Sequence, residues 1–237
     1  MIRLVVGLGN PGKEYERTRH NAGFWLVERY AAAQSIALRK DPKFQALVGR
    51  LEAGAAGGGP AWLLLPQSFM NASGRPVQML AGFFKIRPEE ILVVHDELDF
   101  APGVARIKQG GGIAGHNGLK DISQRIASHD YWRLRIGIGH PGDKDAVADY
   151  VLHKPSAEDK AAIDQAIERS LQVLPEMLKG DMQSAIQKLH SGEPKPEKKE
   201  PPKKDVPVKE PEKKQPEKNA QPEKAKSGLL KSLFGKK

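Results

Sequence analysis

One histidine lies in a segment whose residue types suit acid–base chemistry. The segment runs from Gly7 to Phe24 and reads GLGNPGKEYERTRHNAGF, so it leaves a short apolar strand, turns, and reaches His20 at the start of an apolar helix. Histidine takes up and returns a proton near neutral pH at little cost. A histidine at the mouth of a parallel strand, beside the carboxamide of Asn10, is placed where open α/β sheets hold their sites. His20 is therefore a candidate general base.

The glycines of this segment also match a nucleotide-binding pattern, which we reject. Gly7, Gly9 and Gly12 follow the strand with the spacing of a dinucleotide fingerprint. That fingerprint needs a helix that opens at the glycines, so that its N-terminus meets a pyrophosphate. Here a Pro-Gly turn and a charged loop follow, and helical periodicity begins only near Ala22. We therefore expect no nicotinamide cofactor.

A second polar cluster, residues 95–99 (HDELD), follows the apolar run 91–94. A strand that ends in acidic residues again indicates the site edge of a sheet. Asp96 could accept a hydrogen bond from a ring N–H of His20 and so fix the tautomer of that histidine. An acidic turn with His95 as a cap explains the same residues equally well. The cluster lacks a recognised metal-ligand spacing, so we expect no metal.

A third segment, residues 66–74 (PQSFMNASG), joins a predicted strand to a predicted helix. Asn71 fits the N-cap of that helix, which is the commoner role of such an asparagine. It also fits a carboxamide that binds a peptide backbone or a polarised carbonyl, with Phe69 and Met70 as an apolar wall. The sequence pattern leaves both interpretations open.

A fourth segment, residues 108–120 (KQGGGIAGHNGLK), is rich in glycine. Glycines let a ligand approach the backbone closely, and a helix that begins at Asn117 would offer free N–H groups to an anion or a carbonyl oxygen. With Lys108, His116 and Lys120 around it, the loop could close over a phosphodiester ligand. A loop that is merely mobile is the alternative.

Strand and helix patterns alternate along the chain and must position these side chains. We predict strands at residues 2–7, 45–53, 61–65, 91–94, 104–108 and 132–139. We predict helices at residues 22–36, 75–85, 117–127 and 158–178. Alternation of this kind indicates an α/β layer structure, with a hairpin loop at Gly54–Gly59.

The composition separates a body, residues 1–190, from a C-terminal tail. The chain of 237 residues has a formal charge of +9, but residues 191–237 hold 14 lysines and 8 acidic residues and so supply +6 of it. The body is large enough for one buried core. The absence of cysteine excludes disulfides and thiolate metal sites. No segment resembles a membrane span or a signal peptide, and we expect a cytoplasmic protein.

The tail has two parts. Residues 191–227 repeat proline, lysine and glutamate, which cannot bury enough apolar surface to fold, so we predict a disordered linker. Residues 228–237 would form a short amphipathic helix with apolar residues from Leu229 to Phe234 on one face. Such a helix orders only against a partner, for which RNA, the ribosome or an anionic membrane are candidates. An end without a role is equally compatible.

The four segments, in this order and spacing and together with residues 133–142 (RLRIGIGHPG), resemble bacterial-type peptidyl-tRNA hydrolases. The resemblance covers residues 1–190. It implies a single globular α/β domain with a twisted mixed sheet packed between helices. It also implies hydrolysis of the ester that joins a peptide to the 3′ ribose of tRNA, which recycles tRNA after premature termination of translation.

The resemblance assigns roles to single residues. His20 is similar to the general base of the family, and Asp96 to its orienting partner. Asn10 and Asn71 match positions that hold the peptide and the scissile carbonyl, and Asn117 matches the position that helps to place the water and the peptide backbone. The remaining matches line the cleft (Tyr15, Phe69, Met70 and His116) or meet tRNA phosphate (Lys108 and Arg135).

Two classes of function stay open at this point. One is an esterase that acts on peptidyl-tRNA as a monomer, with neither cofactor nor metal. The other is a non-catalytic RNA-binding module on the same scaffold, which needs only cations. The presence of His20, Asp96, Asn10 and Asn71 together favours the enzyme, because an RNA clamp has no use for a base in a cleft.

Overall fold

A mixed sheet of seven strands forms the centre of the fold. The computed structural model describes residues 1–52 and 60–192, so the predicted loop at Gly54–Gly59 and the predicted tail beyond residue 192 lie outside the described residues. The strands are β1 (Leu4–Gly7), β2 (Arg39–Asp41), β3 (Ala46–Leu51), β4 (Ala61–Pro66), β5 (Ile91–Glu97), β6 (Ala105–Gln109) and β7 (Trp132–Gly137). Their order across the sheet is β2-β3-β4-β1-β5-β7-β6.

The direction of the central strands brings the polar segments together. Strands β4, β1, β5 and β7 pair in parallel, whereas the other pairings are antiparallel. Gly7, the last residue of β1, lies opposite Val94 of β5. The residues that follow β1 and those that end β5 therefore meet at one edge of the sheet, where sites of parallel sheets lie.

Helices cover both faces of the sheet. They are α1 (Ala22–Ala33), α2 (Gly74–Phe83), α3 (Asn117–Arg125), α4 (Val147–Val151), α5 (Ala157–Lys179) and α6 (Met182–Ser191). The alternation of β1 shows the layers, since Val5 packs in the core with α1, α5 and α6, and Leu4 and Val6 pack with α2 and α3. None of these helices has the length and apolar character that crossing a membrane requires.

The predicted α/β architecture is confirmed, but the sequence pattern does not reveal three elements. Strand β2 has 3 residues, none of them apolar, and forms because it pairs with β3. Helix α4 has 5 residues, too few for a periodic pattern. Helix α6 follows α5 after a break at Gly180, begins behind the capping side chain of Asp181 and ends at Ser191.

The close approach of α1 to the sheet depends on Gly23. The N–H of Leu8 donates to the carbonyl of Val94 at 2.9 Å, and the N–H of Phe24 donates to the carbonyl of Leu8 at 3.1 Å. A Cβ on Gly23 would lie less than 3.0 Å from backbone atoms of Leu8 and Val94. Backbone atoms cannot swing away as the end of a side chain can, so this position requires glycine.

We predict that Gly23→Ala lowers the free energy of unfolding by about 2–3 kcal/mol, because the new methyl group must push α1 away from β1 and β5. Urea denaturation measures the change. Gly82→Ala is the matched control, since Gly82 lies in α2 with no atom within 4 Å of its added Cβ, and it should stabilise by about 0.5–1 kcal/mol. Equal effects of the two substitutions would contradict the close approach.

Candidate active site

One buried carboxylate, Asp96 in β5, lies between two imidazole rings. The Nδ1 atom of His20 is 2.9 Å from Oδ2 of Asp96 and 3.0 Å from Oδ1. The Nε2 atom of His116 is 3.0 Å from the same Oδ1. His20 belongs to a 3₁₀ helix over Arg19–Asn21 that leads into α1, and His116 directly precedes α3. Three segments that are distant in sequence therefore meet at one carboxylate, whose side chain is 2% exposed.

The charge of Asp96 decides how His20 is protonated. Burial by itself raises the pKa of Asp96, but the charges and hydrogen bonds of His20 and His116 outweigh it and hold that pKa well below its usual range. An ionised carboxylate only accepts, so His20 donates from Nδ1. Burial lowers the pKa of His20, whereas the charge and hydrogen bond of Asp96 raise it, and the pKa ends above its ordinary value. In neutral His20, the Nε2 atom then carries the lone pair.

His116 also caps α3, which corrects the prediction of free N–H groups at the start of that helix. Its Nδ1 accepts the N–H groups of Gly118 and Leu119 at 3.2 and 3.4 Å. Its Nε2 carries a proton and donates to Asp96. One ring nitrogen that donates and one that accepts define neutral imidazole. The first turn of α3 is therefore tied to the buried carboxylate by a single side chain.

A third histidine, His95 of β5, packs edge-to-face on His116 with ring centroids 5.0 Å apart. It is 1% exposed. Its Nδ1 donates to the backbone carbonyl of Asp96 at 2.6 Å, and its Nε2 has no hydrogen-bond partner. Burial, with the charge of His116 as a smaller contribution, lowers the pKa of His95 well below its ordinary value. His95 is thus a neutral residue inside β5 and not a turn cap.

Asn10 is held in place by Asn21 and Met70. The side chain of Asn21 accepts the backbone N–H of Asn10 at 2.9 Å and donates to its carbonyl at 3.0 Å. The Oδ1 atom of Asn10 accepts the N–H of Met70 at 2.8 Å. The Nδ2 amide of Asn10 makes no hydrogen bond within the described residues, so it is available to a ligand. The sequence pattern misses Asn21, because its contact depends on a turn that returns to Asn10.

The other two asparagines predicted for the site, Asn71 and Asn117, are exposed. Asn71 lies in a short 3₁₀ helix and is not the N-cap of α2, so that interpretation of the sequence is wrong. Helix α2 begins after Ser73, and the N–H of Gly74 donates to Asp121 at 2.7 Å. Asn117 is the first residue of α3, and its carboxamide makes no hydrogen bond within the part of the chain that the structure describes.

A cavity of about 470 Å³ brings four of the predicted site residues together, namely His20, Asp96, His116 and Asn117. Asn10 lies instead in a second cavity of about 400 Å³ that Asn21 also lines. His20, Asp96 and His116 each place one possible ligand atom within 4.8 Å of the others, which makes them a possible metal-binding group.

The predicted apolar wall is partly buried and partly exposed. Met70 is buried against Gly118, whereas Phe69 is 60% exposed. The rings of Phe69 and Tyr15 meet edge-to-face with centroids 6.1 Å apart. These aromatic rings and Asn71 line neither of the two cavities described above. They offer an apolar surface close to the backbone that Asn10 binds.

Strands β6 and β7 carry four cations on one face. Arg106 lies opposite Arg135, and Lys108 lies opposite Arg133, so their side chains project to the same side. Lys108 is exposed. Arg135 is partly buried, since it donates to Glu97 at 2.8 Å. The two cations predicted from sequence, Lys108 and Arg135, therefore share one face of the sheet.

Arg133 holds the glycine loop and is a residue that sequence reasoning missed. Its side chain donates to the carbonyl of Gly112 at 2.8 Å and to that of Gly110. Arg133 is 3% exposed, and burial is the main cause that lowers the pKa of its guanidinium. The alternation of β7 predicts that Arg133 and Arg135 share a face, but not that one of them is buried under a loop.

A second missed arginine, Arg19, connects His20 to α4. Its guanidinium donates to the carbonyls of Tyr150, His153 and Lys154 at 3.4, 3.3 and 3.0 Å. The same group lies over the ring of Tyr150, 4.0 Å from its centroid. Since α4 lines the larger cavity, the residue next to the candidate base is anchored to one wall of the site.

Comparisons with known proteins find relatives that match most of the chain. A family model described as peptidyl-tRNA hydrolase matches residues 4–200. A peptidyl-tRNA hydrolase of Thiobacillus denitrificans is 54% identical over 198 residues, which are 84% of this chain and 95% of that protein. The protein of that name from Nitrosospira multiformis is 53% identical over 190 residues, which are 80% of this chain and 98% of that protein.

Solved structures of proteins with the same name have the same fold. A complex of peptidyl-tRNA hydrolase with N-propanol gives a TM-score of 0.77 at 46% identity, over 82% of this chain and 97% of the other. The peptidyl-tRNA hydrolase of Acinetobacter baumannii gives a TM-score of 0.75 at 47% identity, over 79% of this chain and 94% of the other.

The neutral, buried His95 predicts a pH dependence of stability. Because the pKa of His95 is lowered on folding, protons bind more tightly to the unfolded chain. The free energy of unfolding therefore decreases as the pH falls below 6.5, the ordinary pKa of histidine. The raised pKa of His20 changes the free energy of unfolding in the opposite direction, but all the variants compared retain His20. We expect His95→Asn, which keeps a neutral donor, to lose less free energy of unfolding than wild type on acidification.

Urea denaturation at about pH 7.5 and about pH 5.5 measures this difference, on either side of the ordinary histidine pKa. The control is His129→Asn, since His129 is exposed, and it should follow wild type. An equal loss in wild type and His95→Asn would contradict the neutral state of His95.

Proposed function

The chain belongs to the peptidyl-tRNA hydrolase family, and we propose that it hydrolyses peptidyl-tRNA with His20 as the general base. The observation that carries the proposal is the contact of His20 Nδ1 with the Asp96 carboxylate at 2.9 Å. This contact puts the ring proton on Nδ1 and leaves Nε2 free to take a proton from water. Since the substrate is a product of translation, the location proposed for the enzyme is the cytoplasm.

The proposed reaction has two proton transfers at His20. A water molecule gives a proton to Nε2 as its oxygen attacks the ester carbonyl carbon, and Asp96 stabilises the imidazolium that forms. The tetrahedral intermediate then collapses, the bond from carbon to the ribose 3′ oxygen breaks, and the imidazolium returns the proton to that oxygen. An ester with a ribose leaving group is more reactive than an amide, so an oriented base with carboxamide donors suffices.

Carboxamides are proposed to bind the peptide and the developing oxyanion. Asn10 is the most firmly held of these carboxamides, because its backbone and Oδ1 are fixed by Asn21 and Met70 while Nδ2 is available. Asn71 and Asn117 are exposed and free to turn toward a bound peptide. Donors of this kind at a developing oxyanion contribute about 10²–10³ in rate.

The basic face of β6 and β7 is proposed to dock the tRNA through its phosphates. Lys108 is exposed there, and Arg135 lies on the same side of the sheet. Phosphate contacts give affinity with little sequence readout and make binding strongly dependent on salt. A non-catalytic RNA-binding module would use the same face, but it would not need a buried Asp96 with two histidines.

We predict that His20→Ala lowers kcat for cleavage of an N-blocked aminoacyl-tRNA by about 10²–10⁴, because the proton acceptor is lost. Binding of the uncleaved tRNA ester should stay close to wild type, since the phosphate contacts are unchanged. Rapid-quench assays of ester cleavage and filter binding measure the two effects, with His129→Asn as the control. Full turnover by His20→Ala would show that His20 is not the base. No cleavage by wild type at stoichiometric enzyme would instead favour the RNA-binding module.

The pH profile of kcat/KM provides a second test. The base acts when neutral, so activity should fall as the pH drops through the pKa of His20, which lies above 6.5 in the folded protein. Asp96→Asn removes the charge that raises this pKa, so its acidic limb should move to lower pH. The plateau should also fall by about 10²–10⁴. If kcat/KM of Asp96→Asn falls at the same acidic pH as that of wild type, another group is the base.

A further inference from the structure

The group formed by His20, Asp96 and His116, here called the histidine–aspartate cluster, has a composition that the proposed hydrolysis does not explain fully. A base needs one orienting carboxylate, yet this carboxylate serves two imidazoles from two sides. The three possible ligand atoms lie within 4.8 Å of one another, and no other such group of three occurs in residues 1–52 and 60–192.

Within the described residues, the side-chain hydrogen bonds of the buried Asp96 carboxylate come from the imidazoles of His20 and His116. Within the described chain no lysine or arginine forms an ion pair with it. A buried charge is costly without a cation. A divalent ion at this place would supply a fixed positive charge.

We propose that the histidine–aspartate cluster binds a divalent transition-metal ion such as Zn²⁺, and that the bound ion inhibits the enzyme. Two imidazoles and one carboxylate are a common three-residue ligand set for zinc, and water fills the fourth position. Zinc bonds of about 2.0–2.2 Å place tetrahedral ligand atoms about 3.3 Å apart. The nitrogen–oxygen distances of 2.9 and 3.0 Å need to widen only slightly, and the two ring nitrogens lie within 4.8 Å of each other. The adjoining cavity of about 470 Å³ admits the water.

The inhibition follows from the tautomer of His20 and rests on the proposed function. A metal ion on Nδ1 takes the place of the proton there, so the ring proton must lie on Nε2. That atom is then a donor and cannot accept a proton from water. The ion therefore disables the base even where substrate still binds.

Metal binding has a cost at His116, which supplies an independent signature. A metal ion on Nε2 moves the proton of this ring to Nδ1, where it faces the N–H groups of Gly118 and Leu119. These cap hydrogen bonds are long, at 3.2 and 3.4 Å, so their loss is tolerable. The amides of the first turn of α3 should then exchange faster with solvent in the metal-bound protein than in the metal-free protein.

The binding test uses the full, untagged chain, freed of metal by a chelator. Calorimetric titration with Zn²⁺ should give one site per chain, and Co²⁺ should give the intense visible bands of a four-coordinate ion. Mg²⁺, which prefers oxygen ligands, should not compete. Asp96→Asn and His116→Asn should weaken binding by at least about 100-fold, and His129→Asn should not. Asn at position 116 keeps an acceptor for the α3 cap.

The inhibition test follows ester cleavage across the same titration. Turnover should fall in proportion to the occupied fraction of the site, and a chelator should restore it. Wild-type affinity in Asp96→Asn and His116→Asn would overturn the assignment of the site, and full turnover at saturating Zn²⁺ would overturn the inhibition. If metal-free wild type cleaves no ester, the proposed function fails instead, while calorimetry and Co²⁺ spectra still decide whether the cluster binds metal.

Discussion

The buried charge of Asp96 is the constraint on which the candidate site depends. Within the described residues no arginine or lysine forms an ion pair with this carboxylate, so it depends on other hydrogen-bond donors, and His20 and His116 are the donors that the fold supplies. Each donation fixes the second nitrogen of its ring, so that His20 presents a lone pair to the cavity and His116 caps α3. One charge thus determines the protonation of the candidate base and the position of a helix.

Around this charge the fold builds a rigid framework from backbone contacts. Gly23 lets α1 lie against the ends of β1 and β5, which sets where the 3₁₀ helix carries His20. Asn21 then returns to hold the backbone of Asn10, and Asn10 in turn holds Met70. The groups that would face a substrate are therefore fixed by neighbours that would not touch it.

The sequence predicts the framework better than it predicts the contacts. Apolar runs predict the strands, and polar residues close to the ends of these runs predict that Asn10 and Asp96 lie at one sheet edge. The roles of Asn21, Arg133 and the His116 cap depend on where a side chain points after a turn or a glycine loop. The periodicity of helices and strands does not predict contacts of this kind. Asn71 shows the opposite error, since the local pattern favours a helix cap, whereas the N–H of Gly74 at the start of α2 donates to Asp121.

The hydrogen bonds from Arg19 to carbonyls at the C-terminal end of α4 and just after it have a mechanical consequence. Because Arg19 and His20 are adjacent in one short 3₁₀ helix, a displacement of α4 is transmitted through Arg19 to the imidazole of His20. A small molecule that binds against α4 and displaces it would move His20 without contacting the imidazole. Such an inhibitor need not resemble a nucleotide or a peptide.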